Sequence, residues 1–504
     1  MKRLFFLSAA IIAVAVAACQ QDVTKPGWAP SSRAAHDYRH GSDNTSPYGM
    51  VIGSFSNVNS ALDMNHSQAL KMIHLMKEAG VTWVKLESQW NLDLSGTSTY
   101  NDSLTWPIQT LADSGLQVFV DITHFPYPTD STTWVNYIKH YVDTYGGLGV
   151  RYWEIGNESE VNYGGTAADL AHLTQLAASI IHSGNGNSAH DGWVVGPAVM
   201  YGTTDFDAYT SSFMSNVGDS LDIGSFHVYT DNPDGVRNGF NEFSAYSGTR
   251  PVWVTEENAQ EPDSSDCFGF SACDSISAGS ILGALSQQST TFISQRGKVF
   301  VFSALPSVNN LGVFLRVSPD SFARTKAFYA YKTVANPGGC VGDTNCYQPI
   351  YAWWARGDVM YTPDSSNPAG HSMTAPRGYY LRPATAPSAA NWVMLVGCSW
   401  DSTQVASEGP MHAMLAEDEL VSGQCNVPGE NTAVSPYVTY GYARTDSVKG
   451  MVRLYRSFYQ DMSDFLSTTN KQAHDDNLTW YKDWPLAGQP HAGRALFVYP
   501  GTNG

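Results

Sequence analysis

The chain has 504 residues, with 28 Lys and Arg against 46 Asp and Glu and a formal net charge of −18. That balance excludes a nucleic-acid binder or a protein held to anionic lipid by charge, and it favours a neutral or cationic partner. The length exceeds one ordinary domain and suits a barrel of about 250 residues with a smaller companion.

Met1 to Ala18 reads as an export signal: Lys2 and Arg3 precede a continuous apolar run from Leu4 to Val16. The run ends in Val16-Ala17-Ala18-Cys19, which resembles a bacterial lipobox and implies lipidation of Cys19 at residue 1 of the mature chain. Residues 19–46 are polar and rich in Ser, Pro and Asp, as expected of a flexible tether. No later stretch approaches the roughly 18 apolar residues of a membrane span. The expected location is the bacterial cell envelope, anchored by lipid.

From Tyr48 onward, short apolar runs alternate with helix-like stretches. In order they are YGMVIGSF, VTWVKLESQW, LQVFVDITHF, VRYWEIGNE, GWVVGPAVM, LDIGSFHVY, PVWVTEEN and KVFVFSAL. Helices are expected around Ser67 to Ala79, Trp106 to Ser114, Trp134 to Tyr145, Thr166 to His182, Phe206 to Val217 and Ile276 to Ser294. Eight such runs indicate an α/β chain folded as a closed (β/α)8 TIM barrel over residues 47–335. Gly80, Gly115 and Gly149 each precede a run, where helix C-caps belong. No glycine-rich phosphate loop follows the first run, so no nucleotide cofactor is expected, and no metal site is read.

Residues 336–504 lose the alternation and read as a second, smaller, mostly β C-terminal domain. Strands are expected at Ile350 to Trp354, Tyr379 to Arg382, Trp392 to Cys398, Tyr437 to Tyr442 and Ala495 to Tyr499. A helix is expected at Ser447 to Leu466, because Met451, Leu454, Tyr455, Phe458, Met462 and Phe465 recur at helical spacing. Six cysteines remain after Cys19. Cys267 and Cys273, then Cys340 and Cys346, form two C-x5-C pairs in polar loops, which reads as two local disulfides with Cys398 to Cys425 as a third.

The chemistry concentrates at the ends of two runs. Glu158 ends the fourth and Glu256 the seventh, and in an eight-stranded barrel strands four and seven face each other across the axis. Two acids so placed suit glycoside hydrolysis, one protonating the leaving oxygen and the other attacking the anomeric carbon. His227 and Tyr229 close the sixth run and can orient the carboxylates; His124 closes the third. Lys85 and Glu154 sit deeper in the barrel by their offsets from the strand ends.

The motifs WEIGNE, HVY and WVTE resemble the clan of retaining (β/α)8 glycoside hydrolases that includes families 5 and 39, with family 39 the nearer from GVTWVKLESQW and the helix before the fourth run. The resemblance spans about Tyr48 to Thr333. It implies Glu158 as acid/base, Glu256 as nucleophile, Asn157 as partner of the sugar 2-hydroxyl, and His227 and Tyr229 as supporting groups; His124 and Trp90 are read as further substrate-binding candidates beside them. Lys85 stands where the clan commonly has arginine, and the clan's strand-eight tryptophan is missing. The expected function is a retaining glycosidase acting on a poly- or oligosaccharide. A barrel without turnover, serving as a carbohydrate-binding or adhesive surface lipoprotein, is the alternative.

Overall fold

The structure is a computed structural model. It describes residues 46–52, 65–87, 104–122, 131–162, 165–183, 191–230, 235–259, 270–286, 297–305, 312–318, 321–340, 343, 345–355, 358–362, 372–383, 391–398, 413–420, 438–446, 451–459, 464–468, 471, 482–483, 491 and 494–500. The export run, Cys19, Trp90, His124, Cys267 and Cys425 lie outside these residues, as does the side chain of Cys273. Among the described residues no helix is long and apolar enough to cross a membrane.

Eight parallel strands close in sequence order into the expected barrel. They are β1 (Tyr48–Ile52), β2 (Trp83–Glu87), β3 (Gln117–Ile122), β4 (Tyr152–Ile155), β5 (Trp193–Met200), β6 (Ile223–Tyr229), β7 (Val252–Asn258) and β8 (Lys298–Val301). Between them run α1 (His66–Ala79), α2 (Thr105–Asp113), α3 (Ser131–Gly146), the short α4 (Ser159–Asn162), α5 (Ala167–Ile181), α6 (Phe206–Val217), α7 (Gly235–Ser247) and α8 (Phe270–Ser286). Local chemistry sets the helix ends. Asn65 caps α1 by accepting from the Gln68 amide while Gln68 reaches back to the Asn65 amide, and Gly80 ends it in the left-handed region at φ 93°.

One long barrel helix, α7, is absent from the expected set, and another starts early. Helix α7 buries Val236, Gly239, Phe240, Phe243 and Ser247, a helical stripe that begins at Gly235 without a strong start signal. Helix α8 begins earlier than expected, at Phe270.

Strand alternation fills the barrel from its floor. One inward side chain from each strand forms an apolar layer: Val51, Trp83, Phe119, Tyr152, Val195, Ile223, Trp253 and Phe300. The Trp83 and Trp253 rings meet edge-on at 5.5 Å. Beneath them Lys298 holds its ammonium 4.1 Å from the Trp83 ring centre and donates to the Ser46 carbonyl. Two residues further along β2 and β4, the same inward face carries Lys85 and Glu154.

After the barrel come the hairpin β9 (Phe314–Ser318) and β10 (Ser321–Arg324), then α9 (Lys326–Ala335). Asp274 on α8 accepts from the first amides of α9, those of Lys326 and Ala327, so an acid marks that helix start. The rest is an antiparallel sheet in the order β12-β11-β13-β20-β16-β14-β15, with β17 joined to β18, β19 and β20. These strands are β11 (Gln348–Ala355), β12 (Asp358–Thr362), β13 (Ser372–Leu381), β14 (Trp392–Cys398), β15 (Ala413–Ala416), β16 (Val438–Arg444), β17 (Val452–Tyr459), β18 (Asp464–Thr468), β19 (Lys482–Asp483) and β20 (Leu496–Pro500). Tyr347, Tyr380 and Tyr499 join the barrel's hydrophobic core, while Ile350, Leu381, Leu395 and Tyr440 belong to the sheet's own.

The helix expected at Ser447 to Leu466 is not formed; β17 and β18 pair there as antiparallel strands. The run VRLYRSFY is aromatic and also alternates, with Leu454 and Arg456 buried and Arg453 exposed. Partners on both sides decide between the two periods. Cys340 and Cys346 form the expected disulfide. Cys398 is disulfide-bonded as well, and Cys425, its expected partner, lies outside the described residues.

Buried ion pairs brace the sheet. Arg456 donates to both oxygens of Glu419 at 2.7 Å, and Arg494 adds a bond at 2.8 Å. Burial pushes the Glu419 carboxyl up, but Arg456 and the other donors overcome it and hold it at about 2. A carboxyl held low contributes stability above its unfolded pKa, and that contribution is lost as pH falls from about 4.5 toward about 2. Glu419→Ala should therefore cost about 3–5 kcal/mol in chemical denaturation at neutral pH and flatten the acid limb of stability. A loss below about 1 kcal/mol would show that the pair contributes little.

Candidate active site

The candidate side chains lie where β2, β4, β6 and β7 end, at the carboxyl end of the barrel. On β6 the inward residues after Ile223 are Ser225, His227 and Tyr229. Ser225 bonds the deep Glu154 at 2.8 Å; His227 and Tyr229 reach the two strand-end acids. His227 Nδ1 lies 2.9 Å from Glu158 Oε1 and 3.5 Å from Glu256 Oε2. The Tyr229 hydroxyl donates to Glu256 Oε2 at 2.6 Å.

Lys85 comes from below. Its ammonium lies 2.8 Å from Glu256 Oε1, 2.8 Å from Glu154 Oε2 and 3.9 Å from Asp121 Oδ2. The four-carbon stem lets a residue that sits deep by its backbone touch an acid at the rim. Burial alone would strip Lys85 of its proton, but Glu154, Glu256, Asp121 and Glu87 raise its pKa well above the lysine range.

The same charges act in reverse on Glu256. Burial pushes its carboxyl up, yet His227, Lys85 and the bond from Tyr229 outweigh that and hold it below the usual range. Burial also drags His227 down, but Glu256 and the hydrogen-bonded Glu158 lift it above an ordinary histidine against the opposing charge of Lys85. Tyr229 is pushed well above 10 by burial and by the carboxylates beside it, which keeps its hydroxyl a donor.

Two irregularities aim the acids. On β7, Val254 pairs with Phe226 and Glu256 with His227, so Thr255 is an extra residue between them. The same bulge appears against β8, where Val254 and Glu257 pair with Val299 and Val301. Trp253 faces the barrel interior, and plain alternation would have sent Thr255 and Glu257 after it. The extra residue reverses the parity, turning Glu256 inward and Glu257 toward Ser280 on α8, 2.7 Å away. On β5, Ala198 is bulged in the same way, at φ 54°. Its carbonyl accepts from the Glu158 amide at 2.9 Å, and Glu158 itself sits at φ 49°. Left-handed backbone at a bulky residue is strained and persists only where its surroundings impose it.

Asn157 is half-buried and its buried Oδ1 has no hydrogen-bond partner among the described residues. At β8, Phe302 stands beside Tyr229 with ring centres 6.0 Å apart. The structure thus brings together Glu158, Glu256, His227 and Tyr229, while His124 and Trp90 lie outside the described residues. Sequence reasoning missed Glu87, which ends β2 on the inward face of Trp83 and Lys85. Burial and the charge of Glu256 push its carboxyl up to about 7, despite Lys85 and His227. The inward parity of KLE was the signal available for it.

One ligand atom each from Glu158, His227 and Glu256 fall within 4.8 Å of one another, a spacing that could also hold a metal ion. The surroundings argue against that use. A dication on Glu256 would sit against the Lys85 ammonium, and the Tyr229 hydroxyl already engages the other oxygen.

Lys85→Met should leave Glu154 and Glu256 without their cation, costing about 3–5 kcal/mol of stability. With one of the charges that hold Glu256 low removed, the acid limb of any Glu256-dependent activity should move to higher pH. A variant of unchanged stability and pH profile would contradict this electrostatic account.

Residues 166–278 match the family model described as the glycosyl hydrolase catalytic core; this segment holds His227, Tyr229 and Glu256. No curated protein matches the chain. Among solved structures, Gas2p of Saccharomyces cerevisiae is similar at 14% identity with a TM-score of 0.42, over 59% of this chain and 62% of that one. The β-glycosidase BGL167 is similar at 12% identity and 0.43, over 59% and 97%. A family 39 glycoside hydrolase from Bacteroides cellulosilyticus WH2 is similar at 14% identity and 0.45, over 74% of this chain and 79% of that one. The chain therefore spans under two thirds of the length of Gas2p.

Proposed function

We propose that the protein is a retaining glycoside hydrolase acting on a poly- or oligosaccharide. The observation that carries this reading is the approach of Glu158 and Glu256, with one carboxylate oxygen of each within 4.8 Å of the other across the barrel mouth. Double displacement uses carboxyls about 5 to 5.5 Å apart, whereas inversion needs about 6.5 to 9.5 Å to admit a water between them. The match of residues 166–278 to a glycosyl hydrolase core supports the same reading.

In this mechanism Glu256 attacks the anomeric carbon as Glu158 gives its proton to the departing oxygen, leaving a glycosyl ester on Glu256. Glu158 then takes a proton from water, whose oxygen displaces the ester and restores Glu256. Lys85 and Tyr229 each donate to one oxygen of Glu256 and leave a lone pair on each. They favour the ionised form that attacks and ease its departure in the second step. Asn157, with its unpartnered Oδ1, is the proposed contact to the sugar 2-hydroxyl.

On this reading the chain is exported and held at the bacterial envelope by lipid on Cys19, where polysaccharide is met. Cys19→Ser should move the protein from the membrane to the soluble fraction, and unchanged fractionation would count against anchoring.

Product analysis on a polysaccharide panel identifies the substrate, and variants then assign the roles. Glu158→Gln should lose about 10²–10⁴-fold on natural glycosides but far less on aryl glycosides with good leaving groups. Glu256→Ala should be inactive, with azide restoring turnover as a glycosyl azide of inverted configuration. Equal losses on both substrate classes would remove the acid/base assignment. Azide rescue in Glu257→Ala instead would mean that β7 is out of register by one residue.

A further inference from the structure

Behind β7 lies a carboxyl that the proposed reaction does not use. Glu257 is 0% exposed. Its Oε1 accepts from Ser280, its Oε2 has no hydrogen-bond partner among the described residues, and its backbone carbonyl accepts from the Phe302 amide at 2.9 Å. Among the described residues, burial and the Ser280 bond are the influences on its carboxyl. Laterally it pairs with Val228 on β6 and Val301 on β8. Helix α7 buries Val236, Phe240 and Phe243 and leaves Arg237 exposed. Helix α8 offers Ser280, while its Asp274 is taken up by the start of α9. Burial pushes the Glu257 carboxyl up to about 7, against a smaller opposing effect of the Ser280 bond. An ion here would leave one oxygen without a donor in an apolar layer, so the neutral acid is the form that fits.

The position of this group in the strand gives it a role. Glu257 is the second residue after the bulged Thr255, and its side chain crosses to α8 while that of Glu256 enters the barrel. We propose that Glu257 is a positioning residue: by fastening the top of β7 to Ser280 on α8, it holds the bulged register that presents Glu256 to Lys85 and Tyr229. The inference rests on Glu256 being the nucleophile. It adds an alkaline limit, because an ionised Glu257 draws toward water and loosens the strand end. The linkage has a definite sign. The folded state keeps the Glu257 proton between about pH 4.5 and 7, where the unfolded chain has lost it, so stability falls with rising pH across that window and levels off above it.

The test compares the wild type with Glu257→Gln, which keeps the shape and the acceptor for Ser280, and with Ser280→Ala, which removes the fastening. Both proteins keep the alkaline limb that the proposed acid Glu158 imposes, but wild-type kcat should carry a further loss setting in near about pH 7 that Glu257→Gln lacks. The Glu257→Gln variant should also gain in Tm over the wild type from about pH 4.5 to 7, with a constant margin above. Ser280→Ala should lower kcat several-fold with KM nearly unchanged. Identical pH profiles of kcat in the wild type and Glu257→Gln, or an unaltered kcat in Ser280→Ala, would overturn the proposal. If Glu257→Gln does not fold, the kcat of Ser280→Ala decides alone. If no glycoside is turned over, carboxyl ¹³C NMR of Ser280→Ala decides: Glu256 should titrate higher as its donors loosen, and an unmoved Glu256 overturns the proposal. Failed azide rescue in Glu256→Ala, beside loss of the ionisation near about pH 7 in Glu257→Gln, would reject the nucleophile assignment and not the role of Glu257 in the strand.

Discussion

The ammonium group of Lys85 is the interaction on which the barrel interior depends. It lies within 4 Å of Asp121, Glu154 and Glu256 on three different strands, and it is wholly buried. Acids gathered in so small a volume repel one another and lose hydration, so without a central cation they would take up protons or part. With Lys85 in place, the charge at the rim can be graded. Glu256 is held low by Lys85 and His227, while Glu87, two residues beyond Lys85 on the same strand, stays near 7 because burial and Glu256 work against it. One buried cation thus leaves two neighbouring carboxyls, Glu87 and Glu256, with different protonation at one pH.

Charge alone does not aim the groups. A regular barrel strand offers every second side chain to the interior, and the spacing from the apolar floor would fix which ones. Here bulges at Ala198 and Thr255 alter that count on β5 and β7. One supplies the carbonyl that holds the Glu158 amide in left-handed backbone; the other turns Glu256 inward. Both proposed reactants therefore occupy positions that local regularity would deny them, and the packed floor and helical layer must hold them there.

Much of this was legible in the amino-acid sequence. Strand and helix periods exposed the eightfold alternation, and the Asn157-Glu158 end of β4 and the Glu256-Glu257 end of β7 announced themselves as acids where the strands stop. The bulge at Thr255 was not legible, since no glycine or proline marks it within Trp253-Val254-Thr255-Glu256; only the resemblance of WVTE to a known motif selected Glu256. The reach of Lys85 escaped because its backbone depth understates where a long side chain ends. Glu87 was overlooked for want of a recognised motif around it. The run around Leu454 carried helical and strand periods together, and pairing with distant strands, which no local window contains, settled it as β17.

The central claim is that Glu256, brought inward by the bulge, forms a covalent bond to sugar. The most direct measurement traps that bond: incubation with activated 2-deoxy-2-fluoro glycosides of the sugar identified as substrate, then digestion and mass-spectrometric mapping of the labelled peptide. The account predicts one sugar per chain, esterified to Glu256. A label on Glu257, or a protein that turns over the parent glycoside yet never accumulates a label, would contradict it.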